Sequence, residues 1–301
     1  MKPIVVLGSL NMDLVVRSPR LPKPGETLIG EPFQTFPGGK GANQAVAIAR
    51  LGAPVVMIGR VGSDGFGSEL IATAAKDGVD TRGIAVDSEA ATGVALITVE
   101  ASGQNTIIVV SGANANITPE HVERQAGLIQ SASLLVMQLE SPLDAVMAAT
   151  RLASQAGVKV LLNPAPAQSL PTELLRNVEL LAPNQTELSL LVEAGNVAEA
   201  AQKLIEMGVG VMVVTLGNEG SYILSPDMEI HLPAFPVSAI DTVAAGDAFI
   251  GAFAVAIAEG KPLREAARWG NAAGAIAVTR LGAQPSLPRR EEVLALLEEK
   301  E

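Results

Sequence analysis

Residues 134–162 read LLVMQLESPLDAVMAATRLASQAGVKVLL and contain one complete strand–helix–strand pattern. Short apolar runs at 134–138 and 159–162 flank a helical pattern at 143–156. Near-continuous apolar strands are typical of a parallel sheet covered by helices, because neither face of such a strand meets water. This stretch therefore predicts one repeating unit of an α/β protein.

The same alternation extends over most of the chain. Further apolar strands are predicted at 4–7, 55–58, 180–182 and 211–215. Further helices are predicted at 42–51, 68–77, 119–131, 187–193, 197–207 and 248–258. We therefore predict an α/β fold with an open, doubly wound, mostly parallel sheet flanked by helices. Ligands of such sheets bind beyond the carboxyl ends of the strands.

Two segments depart from this pattern. Residues 13–36 are rich in Pro, Gly and Thr, and residues 92–110 alternate between apolar and polar side chains around a hairpin turn at 101–104. Together they predict a small β-sheet that projects from the main domain. It would serve as a lid over a site and as a dimer face, or be an insertion without a function. The predicted core then comprises residues 1–12, 37–91 and 111–301, and the predicted lid 13–36 and 92–110.

Composition excludes several classes of site. A chain of 301 residues can bury a large core, and its net charge of −11 argues against general nucleic-acid binding. The absence of cysteine excludes disulfides, cysteine–zinc sites and thiol nucleophiles. The longest apolar stretch, around 248–258, is too short to span a bilayer, and the run at 4–7 is too short for a signal peptide. A cytoplasmic location is therefore expected.

The segment DTVAAGD, residues 241–247, places two carboxylates around a turn of small residues before an apolar helix. Backbone N–H groups at a helix N-terminus carry a partial positive charge and bind anions such as phosphate. An acidic side chain there would repel a phosphate, so Asp247 indicates a second role, namely accepting a proton from the attacking group. The alternative is that Asp247 only caps the helix.

Two further motifs suit a polar, hydroxylated ligand. Asn11 and Asp13 follow the first strand and offer an amide and a carboxylate to sugar hydroxyls, or they merely form a turn. PGGKGANQA, residues 37–45, allows close backbone approach to a ligand, with Lys40 and Asn43 as polar groups, or is a plain glycine-rich turn. It is not a Walker A loop, since Gly41 follows Lys40, and no complete G-x-G-x-x-G occurs, which argues against a nicotinamide dehydrogenase.

Other polar residues lie at predicted strand ends. Glu140 follows one strand, and Asn184 and Glu187 follow another, where they could orient water around Mg²⁺, form a capping box, or do both. The small residues at 215–217 and Gly220 suit a phosphate or ribose of a nucleotide. Carbonyl groups of 279–286, with Asp241 and Ser286, could surround a monovalent cation. Trp269 and Tyr222 are expected to be packing residues.

These motifs, taken in order, identify a resemblance. The Asn11/Asp13 pair, PGGKGANQA, IGRVGSDGFG at 58–67, NQTE at 184–187, TLG at 215–217 and DTVAAGD resemble the ribokinase / phosphofructokinase-B family of carbohydrate kinases over essentially the whole chain. The resemblance implies a doubly wound α/β domain with a β-sheet lid that also forms a homodimer interface. It further implies ATP-dependent phosphorylation of a sugar hydroxymethyl group. The Asn-x-Asp pair, PGGKGANQA and VTRLGAQPS at 278–286 are most similar to members that act on ribose, at O5.

The resemblance also implies roles for individual residues. It makes Asp247 the catalytic base and the backbone of Ala244, Ala245 and Gly246 the anion hole. It assigns ribose contacts to Asn11, Asp13, Gly39, Lys40, Asn43, Glu140 and Asp247. It assigns ATP contacts to Asn184, Glu187, Thr215, Gly217, Gly220, Gly246 and Asn271, with Glu187 also binding Mg²⁺ through water. It assigns a K⁺ site, mostly of carbonyl groups, to Asp241, Val243, Ala277, Arg280, Gly282 and Ser286.

The chain departs from the family pattern at two positions. Ala244 stands where the broader family often has glycine, and we expect it to offer its N–H with a negative φ. Val243 replaces a frequent threonine, which matters little if only its carbonyl binds the cation. Two alternatives stay open. One is a kinase of the family for another sugar or a nucleoside, although only Phe33 and Phe36 supply aromatic rings in the lid. The other is a sugar-binding regulator without catalysis, against which the intact Asp247 argues.

Overall fold

A nine-stranded, mostly parallel sheet forms the centre of the protein, and a second sheet of four strands is separate from it. The computed structural model describes residues 1–100 and 104–299. The strands are β1 Ile4–Leu7, β2 Asn11–Ser18, β3 Phe33–Gly38, β4 Val55–Gly62, β5 Asp80–Asp87, β6 Gly93–Glu100, β7 Asn105–Val110, β8 Leu134–Met137, β9 Lys159–Leu162, β10 Leu180–Leu181, β11 Val211–Thr215, β12 Ser221–Ser225 and β13 Met228–Leu232.

Helices connect most of the parallel strands. They are α1 Lys40–Arg50, α2 Gly65–Lys76, α3 Pro119–Arg124, α4 Ala126–Gln130, α5 Leu143–Gln155, α6 Thr172–Leu175, α7 Gln185–Leu191, α8 Val197–Glu206, α9 Ala245–Ala258, α10 Leu263–Ala277, α11 Ala283–Ser286 and α12 Arg290–Glu298. Short 3₁₀ turns lie at Gly112–Asn116 and Gly217–Glu219. The helix predicted at 119–131 is interrupted at Gln125, where ψ is 10°. Gly127, which has low helical propensity, lies two residues further on.

The strand order of the large sheet locates its ligand-binding edge. The order is β13-β12-β11-β10-β9-β8-β1-β4-β5, and β1 pairs in parallel with both β4 and β8. From β1 the chain first builds the sheet towards β5 and later, from β8, in the opposite direction. Ligands of doubly wound sheets bind where the strand order reverses, so the crevice beyond β1 and β8 is the expected site. Only β12 and β13 at one edge run antiparallel.

Alternate residues of β1 enter two separate cores, one on each face of the sheet. Ile4 and Val6 pack into the core that contains α1, α9 and α10, whereas Val5 and Leu7 pack into the core with α3 and α5. All four side chains are completely buried. Burial on both faces is the reason why these strands are continuously apolar. The predicted fold class is confirmed.

The small sheet, consisting of β2, β3, β6 and β7, has the order β3-β2-β6-β7. Its strands coincide closely with the two segments predicted to form a lid, except that β2 already begins at Asn11. Residues 101–103 of the predicted hairpin turn lie outside the described residues. All described positions of β7 are exposed, including Ile107 at 53% and Ile108 at 64%. Such an apolar edge is a candidate for pairing with another surface.

The single tryptophan, Trp269, lies near the middle of α10. Its ring is 2% exposed and lies between two cations, with Lys261 Nζ 5.1 Å and the Arg290 guanidinium carbon 5.0 Å from its centroid. Arg290 also pairs with Glu259, which follows α9. Trp269 and Tyr222 are both buried, as expected for packing residues. Among the described residues, no helix is long and apolar enough to cross a membrane.

Candidate active site

Polar side chains from two neighbouring strand ends meet at the reversal point of the sheet. Ser9 follows β1 and Glu140 follows β8, and the Ser9 hydroxyl donates to Glu140 Oε2 at 2.5 Å. The backbone N–H of Lys40, the first residue of α1, donates to the same oxygen at 3.1 Å. Glu140 is therefore fixed at the N-terminus of α1, where the partial positive charge of the helix stabilises a carboxylate.

Glycines allow α1 to approach β1 this closely. A Cβ on Gly41 would lie 2.6 Å from the carbonyl carbon of Gly8, so neither residue tolerates a side chain without movement. Gly39 precedes the helix with φ 88°, a conformation that favours glycine. The motif at 37–45 thus has a structural reason for its glycines, and it carries Lys40 and Asn43 into the crevice.

Asn11 and Asp13 extend the polar surface into the small sheet. The side-chain amide of Asn114 donates to Asn11 Oδ1 at 2.8 Å. This hydrogen bond orients the Asn11 side chain, so that its N–H groups point away from Asn114. Asp13 lies over Gly38 on the neighbouring strand. Burial, together with repulsion by Glu140 and Asp247, raises the pKa of Asp13 to about 7. A cavity lined by Asn11, Lys40, Glu140 and Asn114 opens here, in front of the small sheet.

Asp247 lies at the far side of the crevice, in the first turn of α9, and is 6% exposed. Its Oδ2 accepts from Asn43 Nδ2 and its Oδ1 from Gln44 Nε2, both at 2.9 Å. Burial raises the pKa of Asp247, whereas Lys40 and these two amides oppose the rise. Burial would lower the pKa of Lys40, but attraction to Asp247 and other carboxylates outweighs it and raises that pKa. The two charges thus stabilise each other.

Two expectations for this turn are wrong. Asp247 is not the cap of α9, because the capping position is occupied by Ala244. Ala244 itself has φ 58° and ψ 10°, in the left-handed region, rather than the negative φ expected for alanine. Ala245 then begins the right-handed helix, and its N–H donates to Thr242 O at 3.3 Å. Successive residues of opposite hand direct N–H groups to one side, which is the backbone geometry of anion-binding concavities.

Asn184 and Glu187 form the predicted capping box at the start of α7. The Asn184 N–H donates to Glu187 Oε2 and the Glu187 N–H donates to Asn184 Oδ1, both at 2.8 Å. Burial raises the pKa of Glu187, against the effects of the Asn184 hydrogen bond and of Lys40. The capping interpretation is confirmed, and the second oxygen of Glu187 remains free to contact a ligand. Both side chains line a cavity with Lys40, Thr215, Gly246 and Asp247.

A largely apolar cavity of about 480 Å³ continues from there. Its walls include the predicted nucleotide residues Gly217, Gly220 and Asn271, and apolar side chains such as Phe235 and Phe249. The Asn271 amide donates to the carbonyls of residues 232 and 233 at 3.3 and 3.2 Å. Residues 184, 215 and 246 border both this apolar cavity and the cavity lined by Glu187 and Asp247. Residue 40 borders the latter cavity and also the cavity in front of the small sheet. The three cavities therefore form one groove.

Hydrogen bonds connect some of the residues predicted for K⁺. Asp241 joins two loops, since its Oδ1 accepts from Val243 N at 3.0 Å and its Oδ2 from Gly282 N at 2.9 Å. Ser286 is buried and donates to Ala283 O at 2.7 Å. Arg280 hydrogen-bonds through its N–H to Ala277 O and pairs through its side chain with Glu292. Among the described residues, no cluster of three or more His, Cys, Asp or Glu could hold a metal ion.

Sequence reasoning missed five polar residues that support the site. Ser9 and Asn114 orient Glu140 and Asn11, and Gln44, Gln138 and Asn163 form hydrogen bonds behind Asp247. Gln138 and Asn163 each follow a strand at its carboxyl end, as Glu140 does. Their position at the carboxyl end of a strand is the sequence feature that could have identified them as site residues.

Comparison with known proteins agrees with this geometry. The sequence profile described as pfkB family carbohydrate kinase matches residues 1–290. The chain is 43% identical to a ribokinase from Haemophilus influenzae over 99% of both chains. The structure of a ribokinase from Thermotoga maritima superimposes with a TM-score of 0.93, at 39% identity, covering 99% of this chain and 100% of that one.

A ribokinase from Arabidopsis thaliana, solved in complex with ribose and ATP, gives the same TM-score of 0.93 at 36% identity, with 99% of each chain covered. The match to the family profile and the identity to these relatives both extend over nearly the whole length, and so include every part of the groove. The chain therefore belongs to the pfkB family of carbohydrate kinases.

Proposed function

We propose that this kinase transfers the γ-phosphoryl group of ATP to O5 of ribose, with Asp247 as the general base. The observation that carries the proposal is the position of Asp247. It is a buried carboxylate at the N-terminus of α9, and it lines a cavity together with Lys40. That cavity shares lining residues with the apolar cavity and, through Lys40, with the cavity in front of the small sheet, which we call the sugar-side cavity. The similar ribokinase solved with both ribose and ATP supports these ligands.

The sugar-side cavity suits a small polyol. Asn11 and Asp13 on β2, Lys40 and Asn43 on α1, and Glu140 after β8 offer donors and acceptors from three parts of the fold. Asn43 Oδ1 is buried without a hydrogen-bond partner among the described residues, so it can accept from a ligand hydroxyl. A site built to satisfy hydroxyl groups discriminates strongly against ligands that lack them.

In the proposed reaction, Asp247 accepts the proton of the O5 hydroxyl as the new O–P bond forms and the bond to the leaving oxygen of ADP breaks. The amides of residues 244–247 stabilise charge on the transferring group, and positioned donors of this kind contribute most to such catalysis. A Cβ on Gly246 would meet no protein atom within 4 Å. The fold therefore does not require glycine there, which supports close approach of a phosphoryl group.

Two cations are part of the proposal. Mg²⁺, when bound, neutralises charge on the phosphate oxygens, and the free oxygen of Glu187 would orient its water shell. The partly buried Glu187 fits this role, since a nearby cation would stabilise its charged form. K⁺ would be held by Asp241, the Ser286 hydroxyl and carbonyl groups of residues 243, 277, 280 and 282. This all-oxygen donor set, fixed by the Asp241 hydrogen bonds, suits a hard cation.

The small sheet is proposed to act as a lid and as the interface of a homodimer. It borders the sugar-side cavity through Asn11 and Val109, so its closure would exclude water from the reacting groups. The exposed side chains of β7, together with Leu96, which is 45% exposed, form an apolar surface that a second copy would cover.

The direct test is ADP release with magnesium-ATP and a panel of sugars and nucleosides, in potassium or in sodium. We expect ribose to give the highest kcat/KM and potassium to stimulate turnover. Preference for a hexose or nucleoside would overturn the ribose assignment. Asp247→Asn should fold normally, keep its ATP affinity and lose at least about a hundredfold in turnover. Full activity of that variant would overturn the role of the base.

A further inference from the structure

Gln44 lies behind Asp247 and has no exposed surface. Its Nε2 donates to Asp247 Oδ1 at 2.9 Å and to Asn163 Oδ1 at 3.1 Å, while its Oε1 accepts from Gln138 Nε2 at 2.6 Å. Both N–H groups and the oxygen of this amide are thus occupied by protein groups. Gln44 therefore has no hydrogen bond left for a substrate, in contrast to the neighbouring Asn43.

Hydrogen-bond partners determine the orientations of the side-chain amides of Gln44, Gln138 and Asn163. The Asp247 carboxylate can only accept, so Gln44 must present Nε2 to it and Oε1 to Gln138. Asn163 Nδ2 donates to the backbone carbonyl of Ala182 at 2.9 Å, so its Oδ1 must face Gln44. A flip of any one amide would leave two buried donors or two buried acceptors facing each other, which is costly. The chain of hydrogen bonds can therefore adopt one arrangement.

Packing also restricts Gln138, which lies at one end of this series of hydrogen bonds. Gln138 is fully buried, and a Cβ on Gly8 would lie 2.1 Å from Gln138 Oε1. Gln138 follows β8, Asn163 follows β9 and Ala182 follows β10, so three adjacent strand ends hold Gln44 from behind. The carboxyl ends of three sheet strands are thereby connected to the carboxylate at the start of α9.

We propose that Gln44 is a positioning residue for Asp247, and that Gln138 and Asn163 keep Gln44 in its donating orientation. This inference rests on the proposed role of Asp247 as general base. Asn43 holds the other oxygen of the carboxylate and faces the ligand, whereas Gln44 acts only through Asp247. The lone pair that accepts the proton is directed by the amides on either side.

The inference predicts a change in the pH dependence of catalysis. The charged groups around Asp247 are Lys40, which lowers its pKa, and Glu140, Asp13 and Glu187, which repel its charged form. Donation by Gln44 also stabilises the carboxylate, so its removal must raise the pKa of Asp247. One hydrogen bond to a charged group corresponds to about one pH unit. The acidic limb of kcat/KM, where the base becomes protonated, should move upward by that amount.

The experiment compares Gln44→Met and Gln138→Met with the unmodified enzyme, using pH profiles of ADP release with ribose. Gln44→Met should shift the acidic limb upward by about one unit and lower kcat about tenfold, because the carboxylate also loses its fixed orientation. Gln138→Met should shift the limb in the same direction, but less. KM for ATP should stay within about twofold for both, because neither side chain contacts the groove.

A double-mutant cycle separates positioning from a general loss of structure. In the Asp247→Asn background, Gln44→Met should lower the residual rate by less than about twofold. Thr150→Val is the matched control, since Thr150 in α5 is also buried, with its hydroxyl donating to Val146 O at 2.8 Å. It should lower the melting temperature without moving the acidic limb.

Either of two results would overturn the inference. One is an unshifted acidic limb in both Met variants, and the other is an equal loss of rate from Gln44→Met with and without Asp247. If Gln44→Met does not fold, the limb of Gln138→Met decides the question. If Asp247→Asn is inactive but the acidic limb is unshifted in both Met variants, the positioning role of Gln44 is refuted and the role of Asp247 as base is not. A fully active Asp247→Asn refutes both this role and the proposed base.

Discussion

Replacing Ala244, the capping residue of α9, by glycine should stabilise the protein. Ala244 has φ 58°, and the left-handed conformation costs an L-residue roughly 1–2 kcal/mol. Glycine avoids this strain but loses about 0.5–1 kcal/mol more conformational entropy on folding. The net expectation for Ala244→Gly is an increase of about 0.5–1 kcal/mol in the free energy of unfolding.

The adjacent residue provides the matched control. Ala245 is the first residue of α9 and has similar, intermediate exposure, but it lies in the right-handed helix. Ala245→Gly should therefore lower the free energy of unfolding, by up to about 1 kcal/mol. Urea denaturation followed by circular dichroism measures both changes, and melting temperatures should differ between the two variants by about 2–5 °C. Equal changes of the same sign would refute the argument from backbone strain.

Three further outcomes are expected. Gly246→Ala should fold at least as stably, because its Cβ meets no protein atom within 4 Å, yet lose about tenfold or more in kcat/KM measured by ADP release. The pKa of Asp13 rises from 3.8 to about 7 on folding, so the stability it contributes is present below pH 4 and lost as pH rises towards 7. Denaturation at pH 5 and pH 8 should show this loss, and Asp13→Asn should remove it. In sedimentation we expect the unmodified protein to be a dimer and Ile108→Asp, on the exposed edge strand β7, to be a monomer, whereas a dimer that persists in the variant would exclude this interface.

The parallel part of the fold could be predicted because its strands are buried on both faces. β1 and β8 appear as continuous apolar runs for that reason. The sequence did not indicate β5, whose residues are partly exposed and include Asp80 and Arg82, or the short antiparallel pair β12 and β13 at the sheet edge. The two edge strands, β5 and β13, lack the second buried face that makes a strand recognisable. That reason does not apply to β12, which is buried at Ser221–Leu224.

Candidate site residues could be located because strand ends and helix N-termini are few. Glu140 and Asp247 were singled out on that basis, and the structure brings them into one groove, although their roles stay predictions. The hydrogen bonds of Gln44 could not be inferred, since its partners Gln138 and Asn163 are 94 and 119 residues away along the chain. The left-handed conformation of Ala244 was equally hidden, because alanine alone favours the right-handed region.

Trp269 can serve as an intrinsic fluorescence probe of the contact between α10 and α12. As the only tryptophan in the chain, Trp269 supplies a fluorescence signal from a single place. The two cations against its ring perturb the excited state, so separation of α10 from Arg290 on α12 would change both intensity and wavelength. Asn271, two residues further along α10, borders the apolar cavity. Emission at one wavelength can therefore follow the docking of the C-terminal helix without any attached dye.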